Sequence, residues 1–140
     1  MSAWVWAGLT VLFWGIAPIF DKLGVARTDP LLAVGIRSFT VSLAILGTLA
    51  LSGRLPRLAT VDGRSVLLLA AGGLSASFLA HFTFLNALKL GEASRLVPVT
   101  SAFPAITVIL AALLLGEKLT WAKGGGVILV VLGILLIRRG

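Results

Sequence analysis

Two ionisable side chains lie inside apolar stretches of the chain, where their chemistry suits contact with a solute. Arg37 follows Pro30 by seven residues, which places it about 10 Å along a helix that begins there. An arginine at the bilayer centre costs roughly 2.5–3.5 kcal/mol on insertion scales, and an off-centre one costs less. Two interpretations follow. Arg37 binds an anion such as a carboxylate or phosphate, or it snorkels to the interface or pairs with another helix.

His81 is the only histidine of the chain and the one side chain within a predicted span that titrates near neutral pH. It either couples protons or contacts substrate, or it is a hydrogen-bonded packing residue. Trp14 lies within the first apolar stretch. Packing explains an aromatic residue there, and a place in a solute pathway is the second interpretation. Arg37, His81 and Trp14 are therefore our first pathway candidates.

Pro104 lies deep in residues 96–116, a stretch without charged side chains. A proline there removes one helix hydrogen bond and leaves the carbonyl of Thr100 without its usual donor, which lipid penalises by several kcal/mol. Thr100, Ser101 and Thr107 are predicted to act as local partners. The stretch is either a kinked helix in a packed bundle or a bent helix that lines a polar cavity. Thr100, Ser101 and Pro104 complete the pathway candidates.

Catalysis and metal binding are not predicted. The chain has no cysteine and one histidine, which excludes thiol chemistry, disulfides and a histidine cluster within one chain. We find no phosphate-binding loop and no nucleophile–base pair, so we predict neither an enzyme nor a cofactor. Asp21, Glu92 and Glu117 are expected at helix ends, which leaves no carboxylate inside a span. Glu117 and Lys118 are expected to form an interface anchor.

The chain as a whole is too apolar for a soluble domain. Of its 140 residues 59% are hydrophobic and 12% are charged, and its mean hydropathy is +1.10; soluble domains average about 45–50% apolar and about 25% charged residues. This predicts an all-α integral membrane protein with one domain over residues 1–140. The net charge of +7 comes from basic residues that separate apolar runs, so nucleic acid is not expected as a partner. The first stretch is expected to be a retained helix and not a cleaved signal peptide.

The apolar stretches predict five transmembrane helices, because about 20 helical residues cross the roughly 30 Å hydrocarbon core. The predicted helices cover residues 3–21, 31–52, 65–88, 95–115 and 119–137. Small residues in two of them permit close approach of another helix. These candidates for helix packing or dimerisation are Gly72 and Gly73 in the third helix and Gly126 and Gly133 in the fifth.

Five spans place the two termini on opposite sides of the membrane, and the basic residues then divide almost evenly. Of the twelve lysines and arginines, five lie on the N-terminal side, six lie on the C-terminal side, and Arg37 lies in the membrane. The five are Arg54, Arg57, Arg64, Lys118 and Lys123, and the six are Lys22, Arg27, Lys89, Arg95, Arg138 and Arg139. The positive-inside rule needs a bias. The chain either inserts both ways and pairs antiparallel with itself, or inserts one way for reasons that the count misses, such as a partner.

The motifs around the proline-bearing stretch point to a family. The segment NALKLGEASRLVPVTSAFPAITVILAALLLGEKLT, followed by GGGVILVVLGILL, places ALKLGEAS before the fourth predicted helix and LGEKLT after it. The early WGIAPIFDK and an arginine in a helix opened by Pro30 accompany them. Together these features resemble the EamA-type domain of the drug/metabolite transporter superfamily over nearly the whole chain.

The resemblance implies one half of a ten-helix fold made of two inverted five-helix halves. Members of that superfamily move small metabolites, amino acids or drugs by alternating access, with the first four helices around the pathway and the fifth used for association. A lone half needs a second copy, so we expect an antiparallel homodimer with dual topology in the cell membrane, for a bacterium the inner membrane. An anionic or zwitterionic small molecule is the favoured substrate. The alternatives are a lipid-linked carrier flippase and a non-transporting membrane subunit of a larger complex.

Related small multidrug-resistance transporters exchange protons for cationic drugs through an intramembrane carboxylate. Because no Asp or Glu is expected within a span, the sequence argues against that route for this chain.

Overall fold

The computed structural model of the chain describes residues 2–139, with side chains for residues 2–137. In this range every regular element is helical and no strand is present, which confirms the all-α prediction. The α-helices are α1 (Ala3–Val25), α2 (Pro30–Leu51), α3 (Gly63–Gly73), α4 (Ala80–Leu90), α5 (Ala93–Thr100), α6 (Phe103–Leu114) and α7 (Trp121–Arg139). A 3₁₀ helix covers Leu55–Thr60, and a π-helix, Leu74–Leu79, joins α3 to α4.

Four helical segments are long and apolar enough to cross a membrane, namely α1, α2, Gly63–Leu90 and Ala93–Leu114. The apolar part of α7, Trp121–Ile137, is shorter, so the fifth span stays a prediction.

Several predicted helix ends need correction. The first helix does not end at residue 21, since α1 continues to Val25. The third is longer than 65–88, and the fifth begins at Trp121 instead of residue 119. The fourth, predicted as 95–115, is divided into α5 and α6.

The chain divides into two compact units, one up to Leu90 and one from Gly91 onward. In the first unit α4 packs against both α1 and α2. In the second unit α7 packs against α5 and α6. The prediction of one domain over residues 1–140 stays a prediction.

Aspartates fix where two of the helices in the first unit begin. Oδ1 of Asp29 accepts a hydrogen bond from the N–H of Leu31 at 2.9 Å, and Pro30 occupies the first helical position, where an N–H has no partner in the helix. Oδ1 of Asp62 accepts from the N–H of Ser65 at 2.9 Å. Hydrogen bonds from the Ser65 side chain, and then from its backbone, lower the pKa of Asp62 below its ordinary value. This cap is therefore complete at neutral pH, and its stabilisation is lost as the pH falls through the lowered value.

α2 ends at Gly53, where the chain turns through the left-handed region. The φ angle of Gly53 is +65°, and the N–H of Arg54 donates to the carbonyl of Leu49 at 2.9 Å, as in a Schellman cap. A Cβ added at this glycine meets no atom within 4 Å. A side chain there therefore meets backbone strain and no steric clash.

We expect Gly53→Ala to lower the free energy of unfolding by about 1 kcal/mol, because L side chains disfavour the left-handed region by roughly 1–2 kcal/mol. The matched control is Gly47→Ala, which lies within α2 and also has open space at its Cβ position. Alanine is favoured over glycine in a helix interior by roughly 0.5–1 kcal/mol. Thermal unfolding in detergent measures both variants. Destabilisation of the same size in both contradicts the assigned turn.

Candidate functional site

Helices α1, α2 and α4 bring three ionisable side chains together around one carboxylate. Nη1 of Arg37 donates to Oδ1 of Asp21 at 2.7 Å and to Oδ2 at 2.8 Å. Nε2 of His81 lies 3.5 Å from Oδ2 of the same carboxylate. The Asp21 side chain is 13% exposed, against 21% for His81 and 40% for Arg37. The two sequence candidates Arg37 and His81 thus belong to one site, which we call the Asp21–Arg37–His81 cluster.

The spacing along each helix explains why these side chains meet. In α1, α2 and α4 the ionisable residue lies three or four positions from a buried apolar residue, which is the spacing of one helix face. The pairs are Pro18 with Asp21, Val34 with Arg37, and His81 with Leu85. The apolar contacts between the helices therefore bring the three polar groups to one inner surface.

One end of this helix group is closely packed, and we call it the sealed end. The buried residues of the unit all lie there, near the end of α1, the start of α2 and the end of α4; they are Pro18, Val25, Pro30, Val34, Leu85 and Leu88. Nζ of Lys22 donates to the carbonyl of Leu88. Nζ of Lys89 donates in the other direction, to the carbonyl of Thr28 at 3.1 Å. The two lysines thus tie α1 and its following turn to α4.

The other end of the group is open. Residues 3–16 of α1 and residues 38–48 of α2 are all exposed, and so is α3 apart from Ser65. The cluster lies where the packed part gives way to this open part. At 1.5 Å per residue, Asp21 lies about 6 Å from the sealed end of its helix, Arg37 about 10 Å and His81 about 14 Å. All three therefore lie between about one and two and a half turns inside helices that are long and apolar enough to cross a membrane.

Two members of the cluster have unused hydrogen-bonding capacity. Nε2 of His81 is buried and has no hydrogen-bond partner among the described residues. Arg37 uses Nη1 alone for both oxygens of Asp21, and in the described part of the chain neither its Nη2 nor its Nε is bonded. A fork-to-fork pair between arginine and a carboxylate uses two nitrogens. The cluster is therefore an ion pair with free donors beside it.

Asp21 corrects the expectation that no carboxylate lies inside a span. It lies within α1, four residues before the helix ends at Val25. Asp21 was expected at a helix end, but of the adjacent Asp21 and Lys22 only Lys22 bonds at the sealed end. Opposite charges at similar depth in two consecutive apolar helices are a signal that could have identified the pair of Asp21 and Arg37 from sequence.

The second unit contains the proline-bearing stretch, which is interrupted instead of bent. α5 ends at Thr100 and α6 begins at Phe103. Pro104 therefore occupies the second position of a helix, where its missing N–H removes no bond from the ladder. An interruption at this depth is known from transporter folds in which broken helices line cavities.

The sequence predicted that Thr100, Ser101 and Thr107 act as local partners for the carbonyl of Thr100, but their hydroxyl groups bond elsewhere. Those of Thr100 and Ser101 donate to the carbonyl of Val97 at 2.9 and 2.8 Å. That of Thr107 donates to the carbonyl of Phe103 at 3.2 Å. These hydroxyls reinforce the ends of α5 and α6 and do not repair the break between them.

A largely apolar groove of about 320 Å³ lies between α6 and α7. Its lining residues are Pro104, Ala105, Ala122, Lys123, Gly126, Val127 and Val130. Nζ of the lining residue Lys123 lies 3.2 Å from Oε2 of Glu117. The partner of Glu117 is therefore Lys123, and the expectation that Glu117 and Lys118 anchor the chain at the membrane interface stays a prediction.

Helix packing or dimerisation by the small-residue candidates stays a prediction, and so does a place for Trp14 in the solute pathway. An added Cβ at Gly72, Gly73, Gly126 or Gly133 meets no atom within 4 Å, so no described helix of this chain approaches these positions closely. Trp14 is exposed and lies on the face of α1 that carries Pro18 and Asp21.

We expect Asp21→Asn and Arg37→Gln each to lower the free energy of unfolding by about 2 kcal/mol, because each leaves a partly buried charge without its partner. The double variant should be less destabilised than the sum of the two by about 1 kcal/mol, since the two side chains are coupled. The matched control is Glu117→Gln, which breaks an ion pair whose side chains are 54% and 44% exposed, and which should change stability by less than about 0.5 kcal/mol. Denaturant titration in detergent gives all four values. Additive effects of the two cluster variants rule out the pair.

Comparison with known proteins gives the family of the chain. The model of the EamA-like transporter family matches residues 1–139. An uncharacterized transporter from the cobO 3′ region of a Sinorhizobium species is 35% identical over 134 residues, which cover 94% of this chain and 93% of that protein. An uncharacterized protein of Methanocaldococcus jannaschii is 32% identical over 135 residues, covering 92% and 90%.

An uncharacterized transporter of Archaeoglobus fulgidus is 29% identical over 138 residues, and here the chain spans about half of the relative, 98% of its own length against 48%. No solved structure matches the chain. Long apolar helices and the match over residues 1–139 lead to one conclusion. The chain belongs to the EamA-like transporter family and is a multi-pass membrane transporter of the drug/metabolite superfamily.

Proposed function

We propose that the chain moves small solutes across the membrane by alternating access and that its working form is an antiparallel homodimer. The observation that carries the proposal is the Asp21–Arg37–His81 cluster, on the inner surface of a helix group sealed at one end. Ionisable residues at membrane depth mark solute and ion pathways. An inner surface that stays exposed toward the other end needs a further wall, which a second copy would supply.

The lengths of the relatives support a unit that works in pairs. The Sinorhizobium and Methanocaldococcus proteins are covered over 93% and 90% of their length, so they are units of similar size. The Archaeoglobus protein is covered over 48% and is about twice as long. A unit with an odd number of spans gives two opposite orientations when it is duplicated in one chain. Separate copies reach the same arrangement by pairing antiparallel.

We propose α7 as the fifth span that makes this number odd. Its apolar part, Trp121–Ile137, amounts to about 25 Å of helix, at the lower end of what crosses a bilayer. The termini then lie on opposite sides, and the basic residues of the connections are nearly balanced. Such a chain has little electrostatic reason to prefer one orientation. We place it in the cell membrane, for a bacterial host the inner membrane.

The substrate class follows from Arg37. Its guanidinium stays charged at every accessible pH and presents donors matched to carboxylate and phosphate oxygens. An anionic or zwitterionic solute therefore suits the site better than a cation does. A lipid-linked carrier with a phosphate group would use the same donors, which is why a flippase is the second candidate.

The antiparallel dimer predicts two orientations of the same chain. The chain has no cysteine, so Ala59→Cys in the connection between α2 and α3 provides a single label. We expect a membrane-impermeant maleimide to modify roughly half of the chains in intact cells, because the positive-inside rule sets no preference. The remainder should react only after permeabilisation.

A charge-biased variant provides the contrast. Arg54→Ser with Arg57→Ser leaves three basic residues on the N-terminal side against six on the other, and should drive the label to one side. Exclusive orientation of the unbiased chain, in cells without a related partner, contradicts the self-paired dimer. Isolation in a stable complex with a different protein, without self-crosslinking, favours the alternative of a non-transporting subunit.

Transport itself predicts a role for Arg37. A library of small anions and zwitterions is screened for solutes that raise the thermal stability of the wild-type chain, and these are then tested for uptake into proteoliposomes. We expect Arg37→Gln to reduce uptake at least about tenfold, since charge-assisted hydrogen bonds contribute roughly 1.5–3 kcal/mol. Glu117→Gln serves as the control with normal uptake. Undiminished uptake in Arg37→Gln removes Arg37 from the site, and transport by a strictly monomeric chain excludes the dimer.

A further inference from the structure

We propose that the Asp21–Arg37–His81 cluster binds a proton and a small oxyanion together. Arg37 exchanges Asp21 for a singly charged oxyanion when His81 takes up a proton and becomes the new partner of Asp21. This inference rests on the proposed function, for which it names the substrate class and the coupled ion.

The charge of the cluster requires the coupling. With His81 neutral, one carboxylate and one guanidinium cancel, so the resting cluster carries no net charge. An anion bound to Arg37 alone leaves an uncompensated negative charge in a medium of low dielectric constant, which is strongly unfavourable. One proton added to the cluster restores neutrality. The anion and the proton therefore stabilise each other, as reciprocal linkage requires.

The geometry supplies a place for the proton. Nε2 of His81 is buried, lacks a hydrogen-bond partner among the described residues and lies 3.5 Å from Oδ2 of Asp21. A protonated imidazole carries N–H on both ring nitrogens, so Nε2 then donates to that oxygen. A proton from the aqueous phase adds to the lone pair of Nε2, and the hydrogen bonds from Nη1 of Arg37 to Asp21 are given up. Asp21 stays ionised and changes its partner from Arg37 to His81.

The geometry also supplies a place for the anion. Arg37 is the most exposed member of the cluster, at 40%, and its Nη2 and Nε are unbonded in the described part of the chain. An oxyanion can therefore bind these donors before Asp21 leaves Nη1. The exchange then proceeds without a bare guanidinium in the membrane.

The neighbouring charged groups do not supply an alternative site. α1 carries Lys22 besides Asp21, and α4 carries Lys89 besides His81. Both lysines donate to backbone carbonyls at the sealed end, and α2 contributes Arg37 alone within its span. Arg37 is thus the cation of α1, α2 and α4 that pairs with the cluster's carboxylate and is not bound to a backbone carbonyl at the sealed end.

Proton uptake on anion binding tests the inference. The purified chain is placed in weakly buffered neutral detergent at about pH 7.5, where a carboxylate probe stays ionised. Sodium nitrate, which does not titrate there, and sodium acetate, as a carboxylate probe, are added while a pH-sensitive dye is read. We expect either probe to cause uptake of between about half a proton and one proton per chain at saturation, because binding of the two ions is linked.

Three variants and a control assign the uptake to the cluster. His81→Gln and Arg37→Gln should each abolish it, and Glu117→Gln should leave it unchanged. In Asp21→Asn the competing carboxylate is gone, so calorimetry should still detect nitrate binding. Proton uptake should be lost, because no displaced carboxylate then needs a proton to compensate its charge. Because His81 is the only histidine, its imidazole resonance in nuclear magnetic resonance spectra reports its protonation directly, and in folded wild-type chain nitrate should increase the protonated fraction.

The same measurement in lipid nanodiscs distinguishes the source of the oxyanion. If the probes cause proton uptake in phosphatidylcholine discs but not in phosphatidylglycerol discs, an anionic lipid headgroup already occupies Arg37. Equal proton uptake in both kinds of disc assigns the site to soluble anions. Absence of uptake with both probes, or uptake that survives His81→Gln, overturns the inference. The proposed function fails separately. Proton uptake on anion binding without any solute transport supports the proposed site and contradicts the proposed transport mechanism. Transport that is unchanged in Arg37→Gln contradicts the proposed site and leaves the transport mechanism standing.

Discussion

A guanidinium and a carboxylate inside a bilayer have to neutralise each other, and this requirement determines where the helices of the first unit meet. Asp29 and Pro30 fix the start of α2 and thereby the depth of Arg37. α1 continues to Val25, which places Asp21 at a similar depth. The ion pair of 2.7 Å joins the two helices where their apolar faces are already buried. The hydrophobic contact and the charge pairing therefore support one arrangement.

The packed and open parts of this unit are separated by the π-helix. Every residue of Leu74–Leu79 is exposed, whereas the packed part of α4 begins at His81. π-helical turns widen the backbone locally and are frequent at functional sites. Gly72 and Gly73 precede this turn, so the chain has its weakest helical propensity directly before it.

The sequence predicted the class of the protein well, and it named two of the three residues that form the candidate site. Apolar runs separated by charges gave four of the helices, since about 20 uncharged residues have few alternatives to a membrane helix. Arg37 and His81 were recognised because each is isolated among apolar neighbours. Asp21 was missed because it stands next to Lys22, which does bond at the helix end. A shift of one residue along a helix changes the depth of a side chain and the helix face on which it lies, and a hydropathy pattern does not resolve changes of that size. The break after Thr100 was predicted as a kink, because a proline signals a disturbed ladder but not whether a new helix starts there.

The permanent charge of Arg37 distinguishes this cluster from a site that contains a carboxylate alone. A lone carboxylate attracts cations, and a proton competes with them for the same oxygens. Here Asp21 already has a cation that no accessible pH removes, so a second cation meets a neutral pair and gains little. An anion instead competes with Asp21 for Arg37, and it succeeds where His81 gives the displaced carboxylate a new partner 3.5 Å away. The same carboxylate that would select cations on its own thus sets the threshold for binding an anion in the proposed exchange.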